Sequence, residues 1–140
     1  MIVFEPLAKS LLQLETHIGL ANSDLAKGDP TIAFAFRTAA IQSFEYSYGL
    51  SVKLLERHLQ EASDGAQEVE HMNFRTLIRT AAEKGLLDDP AAWFDMREMR
   101  NITAHTYDEV KAAEIFAVLP AFLRLAKQLF TRLADHAAVA

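Results

Sequence analysis

Apolar residues recur along most of the chain at intervals of three and four positions, which is the period of a helix with one buried face. The first such stripe predicts a helix over about residues 5–27. Its members are Phe4, Leu7, Leu11, Leu14, Ile18, Ala21 and Leu25. Pro6 suits the first turn of this helix, because the missing N–H of proline costs nothing there. Gly28 is typical of a helix end.

A second stripe follows Asp29 and Pro30, a pair typical of a helix N-cap and the first helical position. It predicts a helix over about residues 30–61 that is apolar on more than one side. Such a helix contacts more than one neighbour, either other helices of the same bundle or a second subunit. Its heptad row is Phe34, Ile41, Tyr48 and Leu55. Gly49 costs this helix about 1 kcal/mol relative to alanine, and close approach of a neighbouring helix is one explanation for it.

Loops and shorter helices are predicted in the middle of the chain. Residues 62–72 are polar and acidic and predict a loop. Asn73 is a candidate cap for a short helix that ends at Gly85. Asp89 and Pro90 repeat the pair found at the second helix and predict a further helix over about residues 90–104.

A long final helix is predicted to run to about His136. Thr106 and Glu109 have the spacing of a capping box at its start, and Asp108 is an alternative cap. Pro120 lies inside this helix and is expected to kink it.

The pattern as a whole predicts an all-α fold. No alternating run is long enough to predict a strand. Most connections are short, so consecutive helices are expected to lie antiparallel. We therefore predict an up-down bundle of four or five helices, formed by one domain over residues 1–140, with the last few residues frayed.

Composition and charge narrow the function. The chain has 140 residues, of which 51% are hydrophobic, with five Gly and four Pro, and this composition excludes a disordered chain. It has no Cys, which excludes disulfides and thiol nucleophiles. The net charge of -5 argues against a protein that coats nucleic acid by bulk charge, although a local arginine site remains allowed. Without a long apolar run or a basic, apolar start, a cytoplasmic protein that does not enter membranes is expected.

The candidate chemistry is concentrated in residues 93–109. Arg97 and Asn101 lie one helical turn apart and share a face. Arg100 and His105 would be separated by roughly 140° on an ideal helix. They converge only if the helix loosens before His105, if the arginine reaches round, or if two copies meet across a two-fold axis.

These side chains suit an anion such as a phosphate. Arginine offers a planar fork of donors, and a histidine moves a proton near neutral pH. The alternative is that Arg97 and Arg100 form ordinary ion pairs along the helix with Asp95 and Glu98, and that His105 is a cation at a helix C-terminus. The other histidines are scattered without a metal-binding spacing, so neither a metal nor another cofactor is expected.

Two stretches carry a resemblance to a known family. Residues 100–107, RNITAHTY, resemble the R-x4-H-x-Y motif of the HEPN superfamily. Residues 41–59, IQSFEYSYGLSVKLLERHL, resemble the IQ-x-FE-x-x-Y helix of one of its subgroups, the nucleotidyltransferase substrate-binding proteins. These small helical proteins are typically paired with a minimal nucleotidyltransferase. The resemblance extends over nearly the whole chain.

The resemblance implies a bundle that assembles as a homodimer or a higher oligomer, with the motifs lining a cleft between subunits. Many HEPN proteins are metal-independent ribonucleases and some are toxins, in which Arg100 would hold the scissile phosphate and His105 would act as general acid or base. Arg97 and Asn101 would bind the phosphate or nucleotide. The partner nucleotidyltransferase would silence the toxin by attaching AMP to Tyr107.

Two other functions stay open. In the first alternative, the chain is a non-catalytic subunit that binds a nucleotide or other substrate for a separate nucleotidyltransferase. Alternatively, it would be a helical dimerisation or adaptor domain in which the cluster around Arg100 and His105 only caps helices.

Overall fold

A computed structural model describes residues 2–62 and 66–139. The described residues form seven α-helices, with one 3-10 turn between the last two. In chain order they are α1 (Glu5–Ala21), α2 (Asp24–Lys27), α3 (Pro30–Ala62), α4 (Ala66–Glu70), α5 (Phe74–Glu83), α6 (Pro90–Asn101), the 3-10 turn (Thr103–His105) and α7 (Glu109–Val139). The fold class is thus all-α, as the hydrophobic pattern predicts, and α7 continues through Pro120.

The first predicted helix is correct from Glu5 to Ala21 and wrong only near its end, because α1 ends at Ala21 and a separate turn, α2, follows. Ser23 accounts for the break. Its backbone is extended, and its side chain accepts a hydrogen bond from the N–H of Ala26, so that it caps α2. Leu25, which continued the apolar stripe in the sequence, is consequently exposed.

The predicted loop over residues 62–72 is also wrong in part. It contains the short helix α4, which packs against α3 and buries Val69. A single apolar residue in a polar segment is too weak a periodic signal to predict a helix. Residues 63–65 of the predicted loop, and Ala140 of the predicted frayed tail, lie outside the described residues. The tail up to Val139 belongs to helix α7 and is not frayed.

Side-chain caps define the starts of the later helices. Asn73 accepts a hydrogen bond from the N–H of Thr76 at 2.8 Å, and Asp89 accepts one from that of Ala92 at 3.1 Å. At the start of α7, Asp108 is the cap, accepting at 2.9 Å from the N–H of Val110. The alternative cap in the sequence is therefore the one that the structure uses.

The core joins all the longer helices. The helices α1, α3 and α7 pack on one another, while α5 and α6 pack on each other and on α3, and α6 also packs on α7. Phe122 of α7 is fully buried and contacts an aromatic ring on each of two helices: Phe44 of α3, with centroids 4.9 Å apart, and Trp93 of α6, at 6.1 Å. Trp93 is thus a core residue.

The long helix α3 is apolar on more than one side, as predicted. Ile41, Tyr48 and Leu55 of its heptad row are buried, whereas Phe34 near its start is exposed. Within the described chain, no helix has the length and the apolar character that a membrane crossing requires.

Candidate functional site

A cleft of about 520 Å³ lies between α3, the start of α5 and the end of α6. This volume is within the range of about 300–1,000 Å³ found for small-molecule sites. Val52, Met72 and Leu77 provide its apolar lining. The polar lining includes three residues predicted from the sequence, which are Arg97, Arg100 and Asn101. The end of α6 is therefore one wall of the cleft.

Aromatic rings hold one of the cleft's arginines without neutralising it. The guanidinium carbon of Arg97 lies 4.5 Å from the centroid of the Phe74 ring. Arg75 lies at the same distance over Phe94, and the two rings contact each other with centroids 6.2 Å apart. A cation over a ring is attracted by the ring quadrupole but keeps its full charge. Arg97 is thus positioned and still able to bind an anion.

The alternative that Arg97 and Arg100 form ion pairs along the helix is wrong for the described residues. Ion pairs among those residues lie elsewhere: Lys9 with Glu5, Lys127 with Glu15, and Arg132 with Asp88. No described carboxylate lies within 4 Å of either guanidinium, although Asp95 and Glu98 are on the same helix. The cleft consequently carries two uncompensated positive charges at one end.

The α3 wall brings a tyrosine to the same end of the cleft. Tyr48 lines the cleft although only 7% of its surface is exposed. Burial raises the pKa of the Tyr48 phenol to about 12, while the nearby positive charges of Arg97 and Arg100 act in the opposite direction. A phenol with this pKa stays protonated at neutral pH and therefore remains a hydrogen-bond donor.

His105 and Tyr107 form a separate, exposed pair. They follow the end of α6, in and just after the 3-10 turn. The Nδ1 atom of His105 and the hydroxyl of Tyr107 are 3.3 Å apart, and 82% of the Tyr107 surface is exposed. Neither residue lines the cleft. The structure thus brings Arg97, Arg100 and Asn101 together in the lining of the cleft. His105 and Tyr107 follow these residues in the sequence but do not line the cleft.

The helix loosens before His105, which is one of the three ways in which Arg100 and His105 were expected to converge. The predicted helix over residues 90–104 ends at Asn101, three residues early, and the 3-10 turn follows. The hydroxyl of Thr103 donates to the carbonyl oxygen of Arg100 at 2.7 Å and so satisfies a carbonyl at the helix end. Yet this looser turn does not carry the His105 ring into the cleft of its own chain.

Sequence reasoning missed the contribution of α3 to the cleft. Tyr48, Gly49, Lys53 and Glu56 all line it. The signal was Gly49, a helix-weakening residue directly after the one tyrosine of the heptad row. The explanation by close helix approach is wrong within the chain, because a Cβ atom at Gly49 would meet nothing within 4 Å.

The remaining histidines lie apart from the cleft. His17 shares a hydrogen bond with Ser43, and the rings of His58 and His136 contact each other with centroids 5.7 Å apart. Burial, followed by the charge of His136, lowers the pKa of His58. Over residues 2–62 and 66–139, no group of three or more His, Asp and Glu side chains is close enough to hold a metal ion.

Comparison with known proteins shows the family to which the chain belongs. The model of the family described as nucleotidyltransferase substrate binding protein like matches residues 3–135. A Haemophilus influenzae protein named probable ribonuclease HepT is 40% identical over 84 residues, which span 60% of this chain and 58% of that relative. The chain therefore matches little more than half the length of this curated relative.

Solved structures agree with the fold. A Haemophilus influenzae protein, described as revealing the fold of a substrate-binding domain of a nucleotidyltransferase, superposes with a TM-score of 0.89 at 30% identity, covering 94% of this chain and 99% of that one. A Thermus thermophilus protein superposes with a TM-score of 0.71 at 34% identity, covering 91% and 98%. With the family model matching nearly the whole chain, this protein belongs to the nucleotidyltransferase substrate-binding family, as its HEPN-like motifs indicated.

Proposed function

We propose that this protein is a HEPN-type, metal-independent endoribonuclease toxin that a partner minimal nucleotidyltransferase silences by adenylylating Tyr107. The observation that carries the proposal is the pair of uncompensated arginines, Arg97 and Arg100, in a cleft beside an exposed His105. The relative named as a ribonuclease supports the activity, and the family description supports the partner.

In this mechanism the arginines bind the RNA backbone. Arg100 holds the scissile phosphate and stabilises the negative charge that develops on it, because a guanidinium offers a planar fork of N–H donors to the phosphate oxygens. Arg97 and Asn101 orient the same phosphate or its neighbour. His105 takes the proton from the ribose 2′-hydroxyl or gives one to the leaving oxygen. This division of roles requires no metal ion.

A homodimer would complete the site. His105 lies outside the cleft lining of its own chain, so a second copy would bring the two motifs together across a two-fold axis. In an isologous interface the same surface serves both copies, and each would therefore complete the other's site. A higher oligomer built from such dimers is compatible with the same arrangement.

Tyr107 is accessible enough for a partner enzyme to modify it. Most of its side chain is exposed, and its hydroxyl lies 3.3 Å from Nδ1 of His105. An AMP group on this oxygen would place a phosphate next to the His105 ring and add negative charge where the RNA backbone has to approach that histidine. Like-charge repulsion and bulk would then exclude the RNA backbone.

A second candidate is a non-catalytic subunit that binds a nucleotide or other substrate for a separate nucleotidyltransferase. The family description favours it, as does the substrate-binding domain described for the similar Haemophilus influenzae structure. The net charge of -5 also suits a small anionic ligand better than a long RNA. In this alternative the same arginines bind the ligand's phosphate, and His105 has no proton to transfer.

The first test is an RNA cleavage assay in the presence of a metal chelator. It compares the wild-type protein with His105→Ala, and uses exposed His71→Ala as a matched control. We expect cleavage by the wild type and the control, and loss of at least about a hundredfold with His105→Ala, the usual contribution of a general acid or base. Equal cleavage by His105→Ala would contradict the proposal.

Mass spectrometry of the purified protein separates the two candidates. A silent wild type whose Tyr107 is unmodified would favour the substrate-binding subunit. A silent wild type that carries AMP would instead agree with a neutralised toxin, and the Tyr107→Phe variant should then accept no AMP from the partner and should cleave RNA.

A further inference from the structure

Tyr48 carries a polar group for which the fold itself provides no partner. Its hydroxyl makes no hydrogen bond with any described residue, and its contacts are those of its ring, with Phe44, Phe74 and Phe122. Over the described chain, however, no side-chain oxygen or nitrogen is both fully buried and unpaired. The hydroxyl of Tyr48 must therefore reach the solvent, and the space that this residue lines is the cleft.

The surroundings of that hydroxyl select an anionic partner. Two guanidiniums, those of Arg97 and Arg100, are near enough to affect the ionisation of the phenol. A tyrosine phenol is protonated at neutral pH, so its O–H is a donor at the positive end of the cleft. A phosphate oxygen is an acceptor only, so it would accept from the phenol and the guanidiniums together.

The cleft is electrically asymmetric along α3. Tyr48 and Gly49 lie at the arginine end. Lys53 and Glu56 also line the cleft, and Glu56 lies roughly 10 Å further along the helix axis, at about 1.5 Å per residue. The opposite formal charges of Lys53 and Glu56 offset each other there, so the net positive charge of the cleft lies at the arginine end. The bound phosphate is therefore expected beside Tyr48, with the rest of the ligand extending past Val52.

Gly49 keeps the space beside Tyr48 open. Apart from the helix's own backbone, a Cβ atom at this position would meet no described atom within 4 Å, so none of the described neighbours requires a glycine here. The residue nevertheless lines the cleft, and a glycine inside a helix is destabilising. Its effect is to leave room where a larger side chain would project toward the ligand.

We propose that Tyr48 is a phosphate-binding residue of this cleft, donating its hydroxyl hydrogen to a phosphodiester oxygen of RNA held by Arg97 and Arg100, and that Gly49 provides the space for that phosphate. The inference rests on the proposed function only for the identity of the ligand as RNA. The Tyr48 ring remains a core group, and the new role belongs to its oxygen alone.

The test measures binding of a short, fully 2′-O-methylated RNA, which keeps the phosphates but lacks the 2′-hydroxyl needed for cleavage. Tyr48→Phe removes only the oxygen and retains the ring contacts. We expect about tenfold weaker binding, the order of a hydrogen bond to a charged group. Tyr46→Phe is the control, because Tyr46 is on the same helix, is 59% exposed and lines a different cavity beside α1.

Gly49→Leu tests the space independently of the hydrogen bond. We expect it to abolish binding of the methylated RNA while leaving the thermal unfolding midpoint at or above that of the wild type. Unchanged affinity in Tyr48→Phe, measured beside an Arg100→Ala variant that has lost binding, would overturn the inference. Unchanged affinity in Gly49→Leu would overturn the part of it that concerns Gly49.

Cleavage assays on unmodified RNA distinguish this inference from the proposed function. If the wild type cleaves RNA and Tyr48→Phe has unchanged affinity and KM, the inference fails and the ribonuclease stands. If the wild type cleaves nothing but binds the methylated RNA in a manner that depends on Tyr48, the ribonuclease fails and the inference stands. A parallel titration with 5′-AMP shows whether a mononucleotide phosphate depends on the same hydroxyl; dependence with AMP alone would overturn RNA as the ligand.

Discussion

Phe74 holds Arg97 in place at the cleft without cancelling its charge, whereas another arginine of the chain is held by a carboxylate. Elsewhere, Arg132 donates two hydrogen bonds to the carboxylate of Asp88, at 2.6 and 2.8 Å, and is neutralised. An arginine stacked on a ring keeps its outward-facing donors for a ligand. The same residue type thus stabilises the fold in one place and remains available for binding in the other.

Two glycines of this chain should respond in opposite ways to the same substitution. Apart from the adjoining backbone, no described atom lies within 4 Å of the position of a Cβ at Gly49 or Gly85, but Gly85 has a φ of +79°. Gly49→Ala should raise the free energy of unfolding by about 0.5–1 kcal/mol, the helix preference for alanine. Gly85→Ala should lower it by about 1–2 kcal/mol, the cost of a left-handed backbone with a Cβ.

Chemical denaturation of the two variants beside the wild type measures both effects. Destabilisation by Gly49→Ala would show that the α3 wall is packed more tightly than the structure indicates, and would remove the argument that this glycine makes room. Stabilisation by Gly85→Ala would contradict its left-handed conformation.

The sequence predicted single residues of the site only where they are adjacent along the chain. Arg97, Arg100 and Asn101 were predicted together because one helix end carries all three. Tyr48 could not be assigned, since its place in a heptad row indicates a core residue and its ring is indeed buried. Its second role depends on which helix end lies across from it, and that is a property of the packing.

Short capping motifs decide where the elements begin. The starts of α5 and α6 were predicted correctly from Asn73 and from the Asp89–Pro90 pair. A cap is a local hydrogen bond between neighbouring residues, so the sequence alone indicates it. The prediction of where α1 ends was wrong because the apolar stripe continues across Ser23. Periodicity alone does not show that a residue within such a stripe is the cap of a new helix. Local chemistry was thus the better guide to helix boundaries.

The N-terminal cap of α6 should stabilise the fold, and α6 is the helix that carries both arginines at its other end. Asp89→Ala removes the acceptor for the N–H of Ala92 and should cost about 1 kcal/mol of stability. Asp89→Ser keeps a capping oxygen and should recover most of that loss. Urea denaturation of both variants measures the difference, and equal losses would show that the capping hydrogen bond is not the cause.

The helices that line the cleft share one hydrophobic core with the rest of the described molecule. The α6 wall of the cleft is attached to the bundle by Trp93 and Met96, which belong to the same buried cluster as the core residues of α1, α3 and α7. Tyr48 on α3 and Trp93 on α6 both contact the Phe122 ring. The geometry of the site therefore depends on the same packing that stabilises the whole domain.

This shared core predicts that the site unfolds with the bundle and not before it. Trp93 is the chain's single tryptophan and is 1% exposed, so its fluorescence reports on α6 alone, whereas far-UV circular dichroism reports on all the helices. The two denaturation curves should coincide, as in a two-state transition. Phe122→Ala should shift both curves together, at a cost of about 3–5 kcal/mol, because its ring joins α3 and α6 through α7. A fluorescence transition at lower denaturant than the dichroism transition would mean instead that α6 detaches first, and the arginine wall would then be a separately ordered element that ligand binding has to fold.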